Sequence, residues 1–341
     1  MSTSDIISVS PLGSTPWPTL SPFLFLAHHH DRYPRGNAQL GPQASLAGRN
    51  LGMDFGAKDG WSMYHGQSVP GFPQHPHRGF ETITIARQGL IDHSDNMGAA
   101  GRFGNGDCQW MTAGKGIVHS EMFPLVHSEA NNPTELFQIW LNLPRADKMV
   151  DPYFTMLWRH TIPQVRLEDA NGRATNLTVY AGTFGEHTPP TPPPNSWAAR
   201  PESGVAVWSI KLDPGATFRL PPGPEGAMRV LYAFRGNGLN VAGRQVGIPH
   251  AIQVRSEASI ELTAGDSPTE VLLLQGRPIN EPVVKHGPFV MNTSGEIRQA
   301  IVDYQQTQFG GWPWDNNAPV HPRERGRFAS YVDGPTEVPP D

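Results

Sequence analysis

The chain has 341 residues, 38 % of them hydrophobic and 17 % charged, which suggests two domains or one large β-architecture with apolar mass enough for real cores. A formal charge of −5 gives no electrostatic reason to expect direct nucleic-acid binding. No apolar run approaches the roughly 20 residues of a membrane-spanning helix, and the single cysteine, Cys108, excludes an internal disulfide or a cysteine-based zinc site.

Residues 1–20, rich in Ser, Thr and Pro, form an entry arm without the basic and apolar regions of a signal peptide. With the reduced cysteine this gives the expectation of a soluble cytoplasmic protein. An apolar strand is expected at Phe23-Leu24-Phe25-Leu26. His28-His29-His30 then read as a solvated or hydrogen-bonded loop, since three adjacent strand residues cannot all face one centre. Residues 31–60 are Gly-rich and weakly periodic, and predict a long loop or insertion. Alternation in Glu81-Thr82-Ile83-Thr84-Ile85-Ala86 predicts a half-buried strand. Further short strands are expected at 107–111, 136–141, 177–181, 205–212, 229–234 and 271–274, most gaps being punctuated by Gly or Pro. That pattern favours an all-β sandwich or barrel.

The run Thr188-Pro189-Pro190-Thr191-Pro192-Pro193-Pro194 cannot pair inside a sheet and is either an interdomain linker or a surface loop within the second half, the loop being preferred because strand-like residues already lie between Val165 and Ala181. One short C-terminal helix is predicted. Thr293 with Glu296 has the capping-box form, and Ile297, Ala300, Ile301 and Tyr304 fall on one face. Residues beyond Gly310 read as a surface tail. The expected domains are 1–150, 151–310 and a tail over 311–341.

Two short strings carry the chemistry: His75-Pro76-His77 and His119-Ser120-Glu121. On a strand, an i and i+2 spacing points both side chains to one face. Three imidazoles and a carboxylate suit a divalent metal with coordination positions left open. Glu81 competes with Glu121 for the carboxylate role, because simple alternation gives it the parity of His75 and His77. The other histidines, His93 and His321 among them, are isolated and read as structural or exposed. Cys108 reads as a small buried apolar residue, and Gln109 or Trp110 beside it as lining the pocket.

H-x-H followed by Glu81, with a second Gly-rich turn leading to His119, resembles the paired motifs of cupins. The longer strings narrow this resemblance. His75-Pro76-His77-Arg78-Gly79-Phe80-Glu81-Thr82 and Gly106-Asp107-Cys108-Gln109-Trp110-Met111-Thr112-Ala113-Gly114-Lys115-Gly116-Ile117-Val118-His119-Ser120-Glu121-Met122 resemble the pirin family. So do Leu212-Asp213-Pro214-Gly215-Ala216 and Asn280-Glu281-Pro282-Val283-Val284, and the matches run in order from about Ser21 to Gly310.

The resemblance implies a bicupin, two antiparallel β-barrels with metal only in the N-terminal one. It implies one iron ion (Fe2+) held by His75, His77, His119 and Glu121. Glu121 would also act in catalysis, leaving Glu81 beside the ligands to orient a histidine or line the pocket together with Gln109. It further implies two functions: quercetin 2,3-dioxygenase activity on a flavonol or another chelating enol, or iron-dependent regulation of a protein partner, a transcription factor or a metabolic enzyme. A purely structural metal is the third reading. The 31–60 segment and the Pro-rich run depart from the family pattern.

Overall fold

The structure, a computed structural model, describes residues 5–332 and 334–340. Its described residues are mostly antiparallel β-structure with one α-helix, Ser294–Thr307, and a few three-residue 3-10 turns. Every strand expected from the sequence is present. Among the described residues no helix is long and apolar enough to cross a membrane.

The chain divides into two compact units, and the division does not follow the linear split at residues 150 and 310. One unit comprises 27–139, 143–159 and 281–341; the other comprises 1–26, 140–142 and 160–280. The ends explain the difference. The N-terminal strand Ile6–Pro11 pairs with His250–Val254 in the second unit. At the other end, Phe328–Ser330 pairs with Ala100–Gly104 in the first.

The first unit has a six-stranded sheet in the order Thr336–Glu337, Phe328–Ser330, Ala100–Gly104, Leu90–Asp95, Ile117–Met122 and Gly71–His77. Its other large sheet runs Tyr153–Leu157, Cys108–Thr112, Phe80–Gln88, Asn132–Asn142 and Phe23–Tyr33. Side chains of both sheets, among them Ile91, Phe103 and Ile117 against Ala86, Met111 and Phe154, share one core. Inward and outward residues therefore alternate on each strand, as in a sandwich. The helix has its capping box: the Thr293 hydroxyl accepts from the Glu296 amide, and Glu296 reaches back to the Thr293 amide. Its Ile297 and Ala300 pack with Phe289 and Met291.

Residues 311–341 are not a surface tail. Phe328 and Ala329 are buried, and the segment closes around Arg102. That guanidinium is fully buried, forks onto Asp92 at 2.7 and 2.8 Å, and donates to the carbonyls of His321, Pro322 and Arg325. A three-residue strand is too short to show periodicity, so composition alone made the segment look exposed.

The second unit packs a seven-stranded sheet on a four-stranded one. Its core mixes Leu177, Trp208, Ile210 and Leu273 with Phe218, Leu239 and Leu262. The strands on either side of the Pro-rich run, Ala174–Ala181 and Ala206–Leu212, pair with each other, so the run is a loop inside this unit.

Candidate metal centre

Two neighbouring strands of the six-stranded sheet build the site. Gly71–His77 and Ile117–Met122 are antiparallel, with His75 directly opposite His119 and Phe72 opposite Glu121. Between those two pairs the first strand spends three residues against two, a β-bulge. A bulge inserts a residue and resets which face a side chain occupies. Phe72 and His75, of opposite parity by counting, therefore both lie opposite residues of the His119–Glu121 face. His75 and His77 keep the i, i+2 relation on the straight part of the strand.

The outcome is a close group of imidazoles. Ligand atoms of His75, His77 and His119 all lie within 4.8 Å of one another. Ring centroids are 4.5 Å apart for His75 and His119 and 5.0 Å for His77 and His119. Glu121 stands beside them, its Oε2 3.9 Å from His119 Nε2. The Nδ1–H of His75 donates to the Pro73 carbonyl at 2.8 Å, which leaves Nε2 with its lone pair. The His77 ring also bonds the Pro288 carbonyl. Neither ring nitrogen of His119, which is fully buried, has a hydrogen-bond partner.

A buried imidazole with both nitrogens unsatisfied is costly unless something else takes up a lone pair. A divalent cation would do so, and the donor set of three imidazoles with a carboxylate fits a transition metal. Burial also prepares the donors. It lowers His75 to about 4 and pushes His77 and His119 well below the ordinary imidazole value, the neighbouring histidines adding to the effect. All three are neutral, and so ligand-competent, at physiological pH. Glu121 is raised by burial, partly offset by His93 and by its bond from Thr84.

The facing sheet supplies Thr84, whose hydroxyl lies 3.0 Å from Glu121 Oε1 and 2.6 Å from Gln138 Oε1. This contact fixes which face of Phe80–Gln88 looks inward, and it corrects the placement of Glu81. Glu81 occupies the opposite face from Thr84 and accepts a bond from the Thr112 hydroxyl at 2.8 Å. Parity counted from His77 fails because the strand ends there and Gly79, at φ +84°, turns the chain before the next strand begins. A Cβ at Gly79 would meet the Val290 carbonyl oxygen at 2.0 Å, so glycine is needed for close approach as well. Gln109 pairs with Thr84 and is buried, with its Nε2 unsatisfied.

Two groups escaped the sequence reading. His93 lies opposite Glu121 in register, with its ring 5.5 Å from His119 and its Nε2 3.2 Å from Asp95 Oδ2. The signal was present as His93-Ser94-Asp95, the same i, i+2 spacing as the other two strings. His28-His29-His30 are the second case, because the strand Phe23–Tyr33 runs through them. His28 meets Glu135 at 2.9 Å, while His29 turns to the other face, 4.8 Å from Tyr64 and 5.8 Å from Phe72. Cys108 is buried, and its thiol is pushed up by that burial.

These features define the class: an all-β protein of two cupin-type units, one of which carries a histidine-rich centre between its sheets. Residues 10–141 match the Pirin family and residues 207–310 the Pirin C-terminal cupin domain. The chain belongs to the pirin family. A Pseudomonas aeruginosa protein named "putative quercetin 2,3-dioxygenase" is 39 % identical over 245 residues, 71 % of this chain and 80 % of that one. Human pirin is 34 % identical over 259 residues, 72 % and 80 % of the two chains. A crystal structure of quercetin 2,3-dioxygenase from Acinetobacter baumannii superposes with a TM-score of 0.66 at 31 % identity, covering 86 % of this chain and 87 % of that one.

Proposed function

We propose that this protein is an iron-dependent oxygenase of the quercetin 2,3-dioxygenase type, acting on a flavonol or another enol with adjacent hydroxyl and carbonyl oxygens. The observation that carries the reading is the neutral His75–His77–His119 group with a buried carboxylate at its edge. Ferrous iron held by His75, His77, His119 and Glu121 would supply Lewis acidity and the electrons needed to engage oxygen.

The chain's own residues set the rest. Thr84 holds the carboxylate of Glu121 in place. Standing beside the imidazole group, with His119 Nε2 3.9 Å from its Oε2, that carboxylate is also placed to receive the proton a chelating hydroxyl gives up. Phe72, 6.4 Å from His75, offers an aromatic face for a planar substrate. The relatives named as quercetin dioxygenases support the same substrate class.

The test is anaerobic loading with ferrous iron followed by an aerobic assay with quercetin. Loss of the flavonol absorbance, absent in a Glu121→Gln protein, is expected. A chain that loads iron yet turns over neither quercetin nor simpler chelating enols would overturn the reading. The result would favour the alternative expected from the sequence, an iron-dependent regulatory protein with a protein partner, which needs the same four groups.

A further inference from the structure

The second unit holds no histidine cluster among its described residues, yet it contains a cavity of about 540 Å³ walled by the Pro-rich loop. Pro190 and Thr191 of that loop line it together with Trp208. No Asp or Glu lines it, whereas Arg200 and Arg229 both do.

Arg229 is the unusual member. It is 1 % exposed and has no carboxylate bonded to it. Its Nε donates to Gln275 Oε1 at 2.6 Å and its Nη1 to the Pro221 carbonyl at 2.8 Å. Nη2 has no hydrogen-bond partner among the described residues. Glycine at 223 makes room for this edge of the guanidinium, since a Cβ there would lie 2.3 Å from Nη2 and 2.4 Å from Gln275 Oε1. Gln275 is itself fixed by donating to the Gly204 carbonyl at 3.0 Å. Desolvation brings Arg229 down to about 10, so it stays charged at neutral pH, with the surface carboxylate of Glu257 favouring the charge. A buried cation without an anion is unfavourable, and a guanidinium held on two sides presents its remaining edge to an incoming oxyanion.

We propose that this cavity is a binding site for a small organic carboxylate, the carboxylate accepting from the free edge of Arg229 and the apolar body resting against Trp208 and the prolines. The Trp208 indole N–H already donates to the Ala181 carbonyl, so the indole contributes apolar surface. The site belongs to the loop that departs from the family pattern.

Calorimetric titration of the full chain, stripped of metal, with benzoate, benzamide and inorganic phosphate tests the proposal. Benzoate is expected to bind, benzamide not at all, and phosphate at least tenfold more weakly than benzoate. Arg229→Gln should weaken benzoate at least tenfold. Thr191→Trp, which fills the exposed rim without touching Arg229, should do the same, and it decides the matter if Arg229→Gln fails to fold. The proposal is overturned if benzoate does not bind, if benzamide or phosphate matches it, or if a folded variant binds benzoate as the parent does.

Discussion

Thr84 has one hydroxyl proton and two acceptors in reach, Glu121 Oε1 and Gln138 Oε1. It therefore decides how the carboxylate is oriented and how much negative charge it carries. Thr84→Val keeps the shape and removes the donor, leaving Glu121 buried with weaker support. Metal affinity, measured by competition with a chelator of known strength, should fall by about 10–100-fold, with Thr84→Ser restoring most of it. An unchanged affinity would show that Thr84 does not hold the carboxylate. His119 makes the complementary case. Both its nitrogens lack hydrogen-bond partners, so His119→Ala strands no donor or acceptor and costs mainly a cavity. The expected product is a folded protein with normal circular dichroism that retains no stoichiometric metal by elemental analysis. Collapse of the fold would instead assign the metal group a structural role.

At the scale of elements, the end of the metal strand is tied to the C-terminal segment. Arg78, just after His77, donates to the Lys115 carbonyl at 2.6 Å and to Asp303 of the helix at 2.6 Å, with Phe309 under its guanidinium. Further on, Trp314 donates to the Asp95 carbonyl, and the carbonyls of residues 321–325 satisfy Arg102. Truncation after Gly310 would strand the Arg102 donors and the Asp95 carbonyl at about 1–3 kcal/mol each. The shortened chain should lose its cooperative thermal transition or melt well below the full one; equal melting temperatures would refute this. The same elements show what could be read from the sequence. Strands of six or more residues with clear alternation were legible, as was the capped helix. The H-P-H and H-S-E spacings were legible because they lie on uninterrupted strand. The face of Glu81 was not, since the turn at Gly79 breaks the count. Nor was the role of the segment beyond Gly310, whose described strands are two or three residues long, Phe328–Ser330 pairing with the distant Ala100–Gly104.

At the scale of the whole molecule, the two units differ in how they should respond to acid. The histidines that burial pushes down, His29 and His75 to about 4 and His77, His119 and His321 in the same direction, all belong to the metal-bearing unit. Between about pH 4 and the ordinary value of 6.5, His29 and His75 are neutral when folded and protonated when unfolded. Unfolding therefore takes up protons in that window, and stability falls as pH falls. Two carboxyls act in the opposite sense. Asp31, raised by burial to about 6, and Glu121, also raised, bind protons more readily when folded and favour the fold as pH drops. The histidines outnumber them, so the net slope keeps its sign. Scanning calorimetry of the metal-free chain from pH 7 to 4 should show the transition of this unit moving to lower temperature while that of the other unit moves less. Bound metal would raise the first transition by mass action and sharpen its loss in acid, because released ligands are then free to protonate. Two transitions that shift together, or a melting temperature indifferent to pH over this range, would mean that the buried histidines do not set the acid limit of the fold.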